Sequence, residues 1–112
     1  MEQFNDLTYL RHILQSIGSI EDFLARGGRS LFDHDKAIQN AIIRELEIIG
    51  EACRNVSDSF RQKHPGVPWR KIVGARDKLI HDYLGVDLDR VWNMATIYVP
   101  ELKKQILEIL GE

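Results

Sequence analysis

The sequence predicts an all-α, up-and-down bundle of four main helices with one short extra helix, formed as a single domain over residues 1–112. Three observations lead there. Apolar residues recur at three- and four-residue spacing through most of the chain, the pattern of helices that bury one stripe. No segment shows the strict alternation of a half-buried strand. Glycine and proline gather at Gly27-Gly28, Pro65-Gly66-Val67-Pro68 and Gly85, cutting the chain into helix-length pieces joined by short connections. There is no internal repeat and no linker long enough to divide the chain.

The first helix is expected from about Phe4 to Ala25, with Leu7, Leu10, Leu14, Ile17 and Leu24 in its stripe, widened by Ile13 and Ile20. Gly27-Gly28 ends it. Arg11 and His12 fall beside the stripe, so His12 reads as a surface or helix-contact residue. In the next segment Asp33 and Asp35 supply cap chemistry ahead of a long run through Ile38, Ile42, Leu46, Ile49, Cys53 and Val56. Asp33-His34-Asp35 does not read as a metal site, because three adjacent residues cannot converge on one ion without a dedicated turn. Cys53 is the single cysteine, so no internal disulfide forms, and its place in the stripe marks it as a buried structural thiol. Ser57 to His64 makes a short helix or turn before the proline break. Pro68 suits the first turn of the following helix, where its missing N–H is not needed. Trp69 either plugs a seam between helices or stacks on a base. Asp87 caps the last helix, whose stripe is Leu88, Val91, Trp92, Ala95, Val99, Leu102, Ile106 and Leu110; Pro100 inside it predicts a kink or a short break near Ile97 to Val99.

A hydrophobic content of 44% is enough for a core without staples, and the formal charge of −2 gives no global reason to expect nucleic acid. No window approaches a membrane span, and the N-terminal residues lack a positive region followed by an apolar run, so a soluble cytoplasmic protein is expected. The charge is uneven, however. Between Arg61 and His81 stand Arg61, Lys63, Arg70, Lys71, Arg76 and Lys78 against Asp77 alone. Such a local field suits a phosphate-bearing partner, with Arg70, Lys71 and Lys78 as candidate RNA contacts, or it is a solvated face neutralised by neighbouring helices.

The stretch from Ala75 to Gly85 reads as a helix burying Leu79, Ile80 and Leu84. Steps of three and four connect Tyr83, Ile80, Arg76, Val73 and Trp69, so Arg76 occupies a place where the stripe asks for an apolar side chain. A guanidinium cannot shed its proton there; it must meet a carboxylate or line a wet cleft. Glu47 and Glu51, one turn apart on one helix face, are the first candidates to pair with it. His81, five residues after Arg76, points about 140° away round the helix. For both to reach one atom, either the helix loosens near Gly85 as a C′ residue or a second chain brings another copy alongside. Either way a cationic His at a helix C-terminus is electrostatically favoured.

The reactive groups are therefore an obligate cation (Arg76), an imidazole (His81), a phenol (Tyr83) and the acidic neighbours Asp77 and Asp82. No Gly-rich phosphate loop, Cys pair, His-Glu-x-x-His or magnesium-spaced acid cluster is present, so neither metal nor cofactor is expected. Phosphodiester cleavage in RNA needs little more than these groups. The 2′-hydroxyl supplies the nucleophile, an imidazole moves a proton near neutral pH, and a guanidinium stabilises the phosphorane. A rival arrangement is a buried hydrogen-bonded knot of Arg76, His81 and Tyr83 with Glu47 or Glu51.

Arg76-Asp77-x3-His81-x-Tyr83 resembles the Arg-x4-His-x-Tyr signature of HEPN-domain ribonucleases, specifically the HepT-like toxins of two-component toxin–antitoxin modules. Leu46-Glu47-Ile48-Ile49-Gly50-Glu51-Ala52, His64-Pro65-x2-Pro68-Trp69, His81-Asp82-Tyr83-x-Gly85-Val86-Asp87 and Val91-Trp92 are similar to that family's recurrent segments in the same order. The resemblance implies an HEPN-like bundle and a metal-independent endoribonuclease whose homodimer lines one cleft with both motifs, Arg76 and His81 forming the catalytic pair. It also implies a minimal nucleotidyltransferase antitoxin that attaches AMP to Tyr83. An anion on Tyr83 would compete with the RNA phosphate for Arg76. A non-catalytic helical dimer that binds a nucleotide or a partner protein through the same cleft is the alternative.

Overall fold

The computed structural model describes residues 5–82 and 85–112, and the described residues form helices joined by short connections, with no strand among them. The first helix, α1, spans Asp6–Ala25; Asn5 caps it by accepting from the Thr8 backbone N–H at 2.8 Å. Arg26 ends it, and Gly28, in the left-handed region at φ 60°, turns the chain directly into a short helix, α2, over Gly28–His34. The sequence reading did not separate α2. Its seven residues are too few to show a stripe; Phe32 alone is buried, against Trp92 with ring centroids 5.3 Å apart. Asp33 is thus no cap but an ion-pair partner of Arg29 at 2.8 Å, whereas Asp35 caps the next helix by accepting from Ile38 N–H at 3.1 Å.

That helix, α3 (Lys36–Asn55), is the centre of the molecule and packs on α1 and on α5 (Trp69–His81). Its expected stripe is buried from Ile38 through Val56. A short α4 (Asp58–Lys63), capped by Ser57, precedes the proline break. Pro68 stands at the N-cap of α5 and Trp69 is buried, its indole N–H donating to the His64 carbonyl at 3.0 Å. Trp69 therefore seals a seam and has no face left for a base. Among the described residues the bundle has four main helical rods and two short helices, α2 and α4, where one was expected.

The last rod is α6 (Leu88–Asn93), a π-helical turn (Met94–Tyr98) and α7 (Val99–Leu110), with Asp87 as its N-cap. The irregularity lies where Pro100 predicts it. Proline cannot donate to the turn before it, and the backbone answers by widening: Val99 N–H donates to the Met94 carbonyl five residues back. The Thr96 hydroxyl satisfies the Trp92 carbonyl at 2.7 Å.

Cys53 is fully buried, and desolvation pushes its thiol up to about 12. Because the thiolate is the nucleophile, alkylation of the native protein at neutral pH should run about a thousandfold slower than alkylation of the chain in guanidinium. Equal rates would place Cys53 outside the core. The same shift means that the native state loses stability as the pH climbs from the ordinary thiol range of roughly 8.5 towards 12, since the unfolded thiol ionises first.

Candidate active site

The site begins with a missing side chain. Gly50 lies buried in the C-terminal half of α3, and a Cβ placed there would sit 2.2 Å from Arg76 Cβ and 2.5 Å from its Cγ. Only glycine lets α5 come close enough for the stem of Arg76 to lie across α3. The Arg76 side chain is 21% exposed. Its guanidinium Nη2 meets Glu51 Oε2 at 2.8 Å and Nη1 donates to Asp77 Oδ1 at 3.0 Å, while Nε is buried with no hydrogen-bond partner among the described residues. Arg54 Nη2 donates to both oxygens of Asp77, at 2.6 and 2.8 Å. Glu51, Arg76, Asp77 and Arg54 thus form a chain of alternating charge that ties α3 to α5. The hydrogen bond from Arg76, aided by the charge of Arg54, holds the Asp77 carboxyl below the ordinary carboxylate range.

Of the two carboxylates expected to meet Arg76, Glu51 does. Glu47 stays one turn away, facing the same groove without an ion pair to it. Arg54 is the member that sequence reading missed. It lies outside the buried stripe of α3, and only the crossing of α3 and α5 shows that Asp77 comes within its reach.

Arg76 opens into a groove of about 260 Å³ bounded by α1, α3 and α5. α1 contributes Tyr9 and His12, whose rings meet edge to face with centroids 6.3 Å apart. α3 contributes Arg44, Glu47, Ile48, Glu51, Ala52 and Asn55, and α5 adds Ile80 to Arg76. His12, which the sequence reading set beside the core stripe of α1 as a contact residue, is therefore also part of a site. The signal for it was available only in three dimensions, since His12 and Arg76 are brought together solely by packing both helices on α3.

His81 is the last residue of α5, exposed, and outside this groove. The helix does not loosen to bring it towards Arg76; it stops. Gly85 is not a left-handed C′ residue, and α5 ends at Asp82, whose N–H donates to the Lys78 carbonyl at 3.0 Å. Ile80, expected in the core, is 38% exposed because it lies on the groove side between Arg76 and His81; Leu79 takes the buried position. Arg70 and Lys71, in the first turn of α5, are exposed, and Lys78 is exposed and paired with Asp82 at 3.2 Å. The expectations for Tyr83 and Leu84 lie outside the described residues.

Comparison with known proteins places the chain in a family. The model of the family described as "Ribonuclease HepT-like" matches residues 13–109. A protein of Caldanaerobacter subterraneus subsp. tengcongensis, named a "Putative RNase", is 44% identical over 102 residues, 91% of each chain. "Probable ribonuclease HepT" of Thermococcus cleftensis is 44% identical over 95 residues, 85% of this chain and 86% of its own. A protein of Methanocaldococcus jannaschii with the same name as the first is 41% identical over 98 residues, 88% of this chain and 90% of its own. No solved structure gives a significant match. No described helix is long and apolar enough to cross a membrane. With a family match across most of its length and relatives matched nearly end to end, the chain belongs to the HepT-like ribonuclease family.

Proposed function

We propose that this protein is a metal-independent endoribonuclease that acts as the toxin of a toxin–antitoxin module, with its site completed in a homodimer. The observation that carries the reading is Arg76. A permanent cation stands on the seam between α3 and α5, admitted by Gly50, steadied by Glu51 and Asp77, and still open to a groove. Its outer N–H groups can hold a phosphate and stabilise the charge that gathers on phosphorus as the substrate's 2′-oxygen attacks. His81 moves the proton: it takes one from the 2′-hydroxyl or delivers one to the departing 5′-oxygen, and the products are a 2′,3′-cyclic phosphate and a 5′-hydroxyl. Asp77 and Glu51 position the guanidinium.

A dimer is favoured because Arg76 and His81 diverge on one regular helix, with the half-exposed Ile80 between them. A second copy would cover that apolar surface and set one chain's imidazole near the other's guanidinium. Arg70, Lys71 and Lys78 supply a cationic approach for the RNA backbone. Regulation follows the family resemblance: a minimal nucleotidyltransferase antitoxin attaches AMP to Tyr83, adding an anion that would compete with the RNA phosphate for Arg76. The ion pairs of Arg76 also favour a second reading, in which it is a structural tie in a non-catalytic dimer that binds a nucleotide or a protein.

Purified protein in excess EDTA should cut single-stranded RNA to cyclic-phosphate ends and leave the matching DNA intact. Co-production with a minimal nucleotidyltransferase antitoxin should add one or more adenylyl units, mapped to Tyr83 by intact-mass and peptide analysis, and silence cleavage. Unmodified protein that binds RNA and never cuts it would establish the non-catalytic reading. An unchanged mass would remove this mode of control.

A further inference from the structure

Beyond the phosphate that Arg76 can hold at its edge, the groove carries balanced charge. Arg44 and Arg76 are balanced by Glu47 and Glu51, and Arg76 is already engaged by Glu51 and Asp77. A second phosphate entering it would meet as much repulsion as attraction. What the groove offers is an apolar floor, Ile48 and Ala52, and a rim on which a carboxylate and a guanidinium stand three residues apart on α3, at Glu47 and Arg44. Residues at that spacing are neighbours on one helix face. Among the described residues neither Glu47 nor Arg44 has an ion-pair partner, so both are available to a ligand.

The geometry points to a nucleobase subsite: we propose that this groove receives one unstacked guanine of the RNA next to the phosphate held by Arg76, with Glu47 and Arg44 as the residues that select it. The inference rests on the ribonuclease reading and adds to it a preference in sequence. A flat heteroaromatic ring suits an apolar floor with polar groups at its rim, and single-stranded RNA is recognised by splayed bases read along their edges. The choice of base follows from donors and acceptors. A carboxylate accepts only, and guanine alone presents two adjacent donors, N1–H and the N2 amino group, to make a bidentate pair with Glu47. A guanidinium donates only, and guanine's O6 and N7 are the acceptor pair that suits Arg44. Adenine, cytosine and uracil each lack the paired donors, and would leave the Glu47 carboxylate partly desolvated without them.

The test compares kcat/KM on four short single-stranded RNAs that differ at one base beside a single cleavable bond. A preference of about tenfold or more for guanine is expected, the usual value of a good bidentate pair. Glu47→Gln, which keeps size and removes the two-acceptor edge, should collapse that preference. Arg44→Ala should weaken it. Equilibrium binding of the same four RNAs to the His81→Ala protein asks the question independently of cleavage. Should the wild type fail to cut RNA while His81→Ala still binds the guanine-containing RNA most tightly and Glu47→Gln abolishes that preference, the nuclease reading falls and the subsite stands. Uniform cleavage and uniform binding of the four RNAs would overturn the subsite. So would substitutions at Glu47 and Arg44 that alter the association state of the protein and not its base preference, because the groove would then be a protein interface.

Discussion

Replacing His81 by alanine is expected to reduce RNA cleavage by about a hundredfold to ten-thousandfold, the usual contribution of a positioned proton-transfer group, with little change in thermal stability. The two readouts separate because His81 is exposed at the end of α5, so its removal leaves no cavity. Arg76 should behave differently. Arg76→Ala removes both the proposed phosphate clamp and a tie between α3 and α5, leaving Glu51 without its cation and Asp77 held by Arg54 alone. Activity and stability should fall together. Arg76→Lys keeps the charge and loses the planar fork, so it should recover part of the stability and little of the activity. RNA cleavage assays beside thermal melts decide the matter: unchanged cleavage in His81→Ala would remove His81 from the reaction.

Gly50→Ala should destabilise the protein by about 1–3 kcal/mol, the range for an overpacked core, and lower Tm by roughly 5–15 °C. The sign is what makes this informative. Glycine inside a helix is ordinarily worse than alanine by about 1 kcal/mol, so the same substitution at Gly18 in α1 or Gly74 in α5, where an added Cβ meets nothing within 4 Å, should be neutral or stabilising. At Gly50 the new methyl would collide with Arg76 Cβ, an atom fixed to the backbone and unable to swing aside. Relief requires α5 to move off α3, which also carries the guanidinium away from Glu51. Cleavage should therefore drop as well. A melting temperature equal to or above the wild type would show that the two helices do not cross this closely.

Much of the fold was legible because it follows from periodicity. The stripes of α1, α3 and the last rod, the caps at Asp35 and Asp87, and the disturbance ahead of Pro100 are all local, and each appears where spacing and residue chemistry place it. The second short helix was not legible, since seven residues between Gly28 and His34 bury one aromatic ring and display no repeat. In the site, the misfit of Arg76 and its pairing with Glu51 could be read from a cation on an apolar stripe and carboxylates on a neighbouring one. The link from Arg54 to Asp77 and the entry of His12 into the groove could not, because they depend on how three helices cross. Gly50 did carry a signal that periodicity alone passes over. A glycine among Leu46, Ile49 and Cys53 is costly in a helix and is retained where another backbone comes near.

The widened turn between α6 and α7 gives the C-terminal rod an unusual tolerance. A π turn holds one residue more than the α turn it replaces, and the helices on either side keep their alignment. Excising a single residue between Met94 and Tyr98 would let the backbone revert to ordinary winding, with Val91 on one side and Leu102 and Ile106 on the other still directed inward. The same excision placed after Val99 would swing Leu102 and Ile106 about 100° round the axis, into solvent. The rod thus contains a slack link of one residue, which can be lost there without unmaking the bundle.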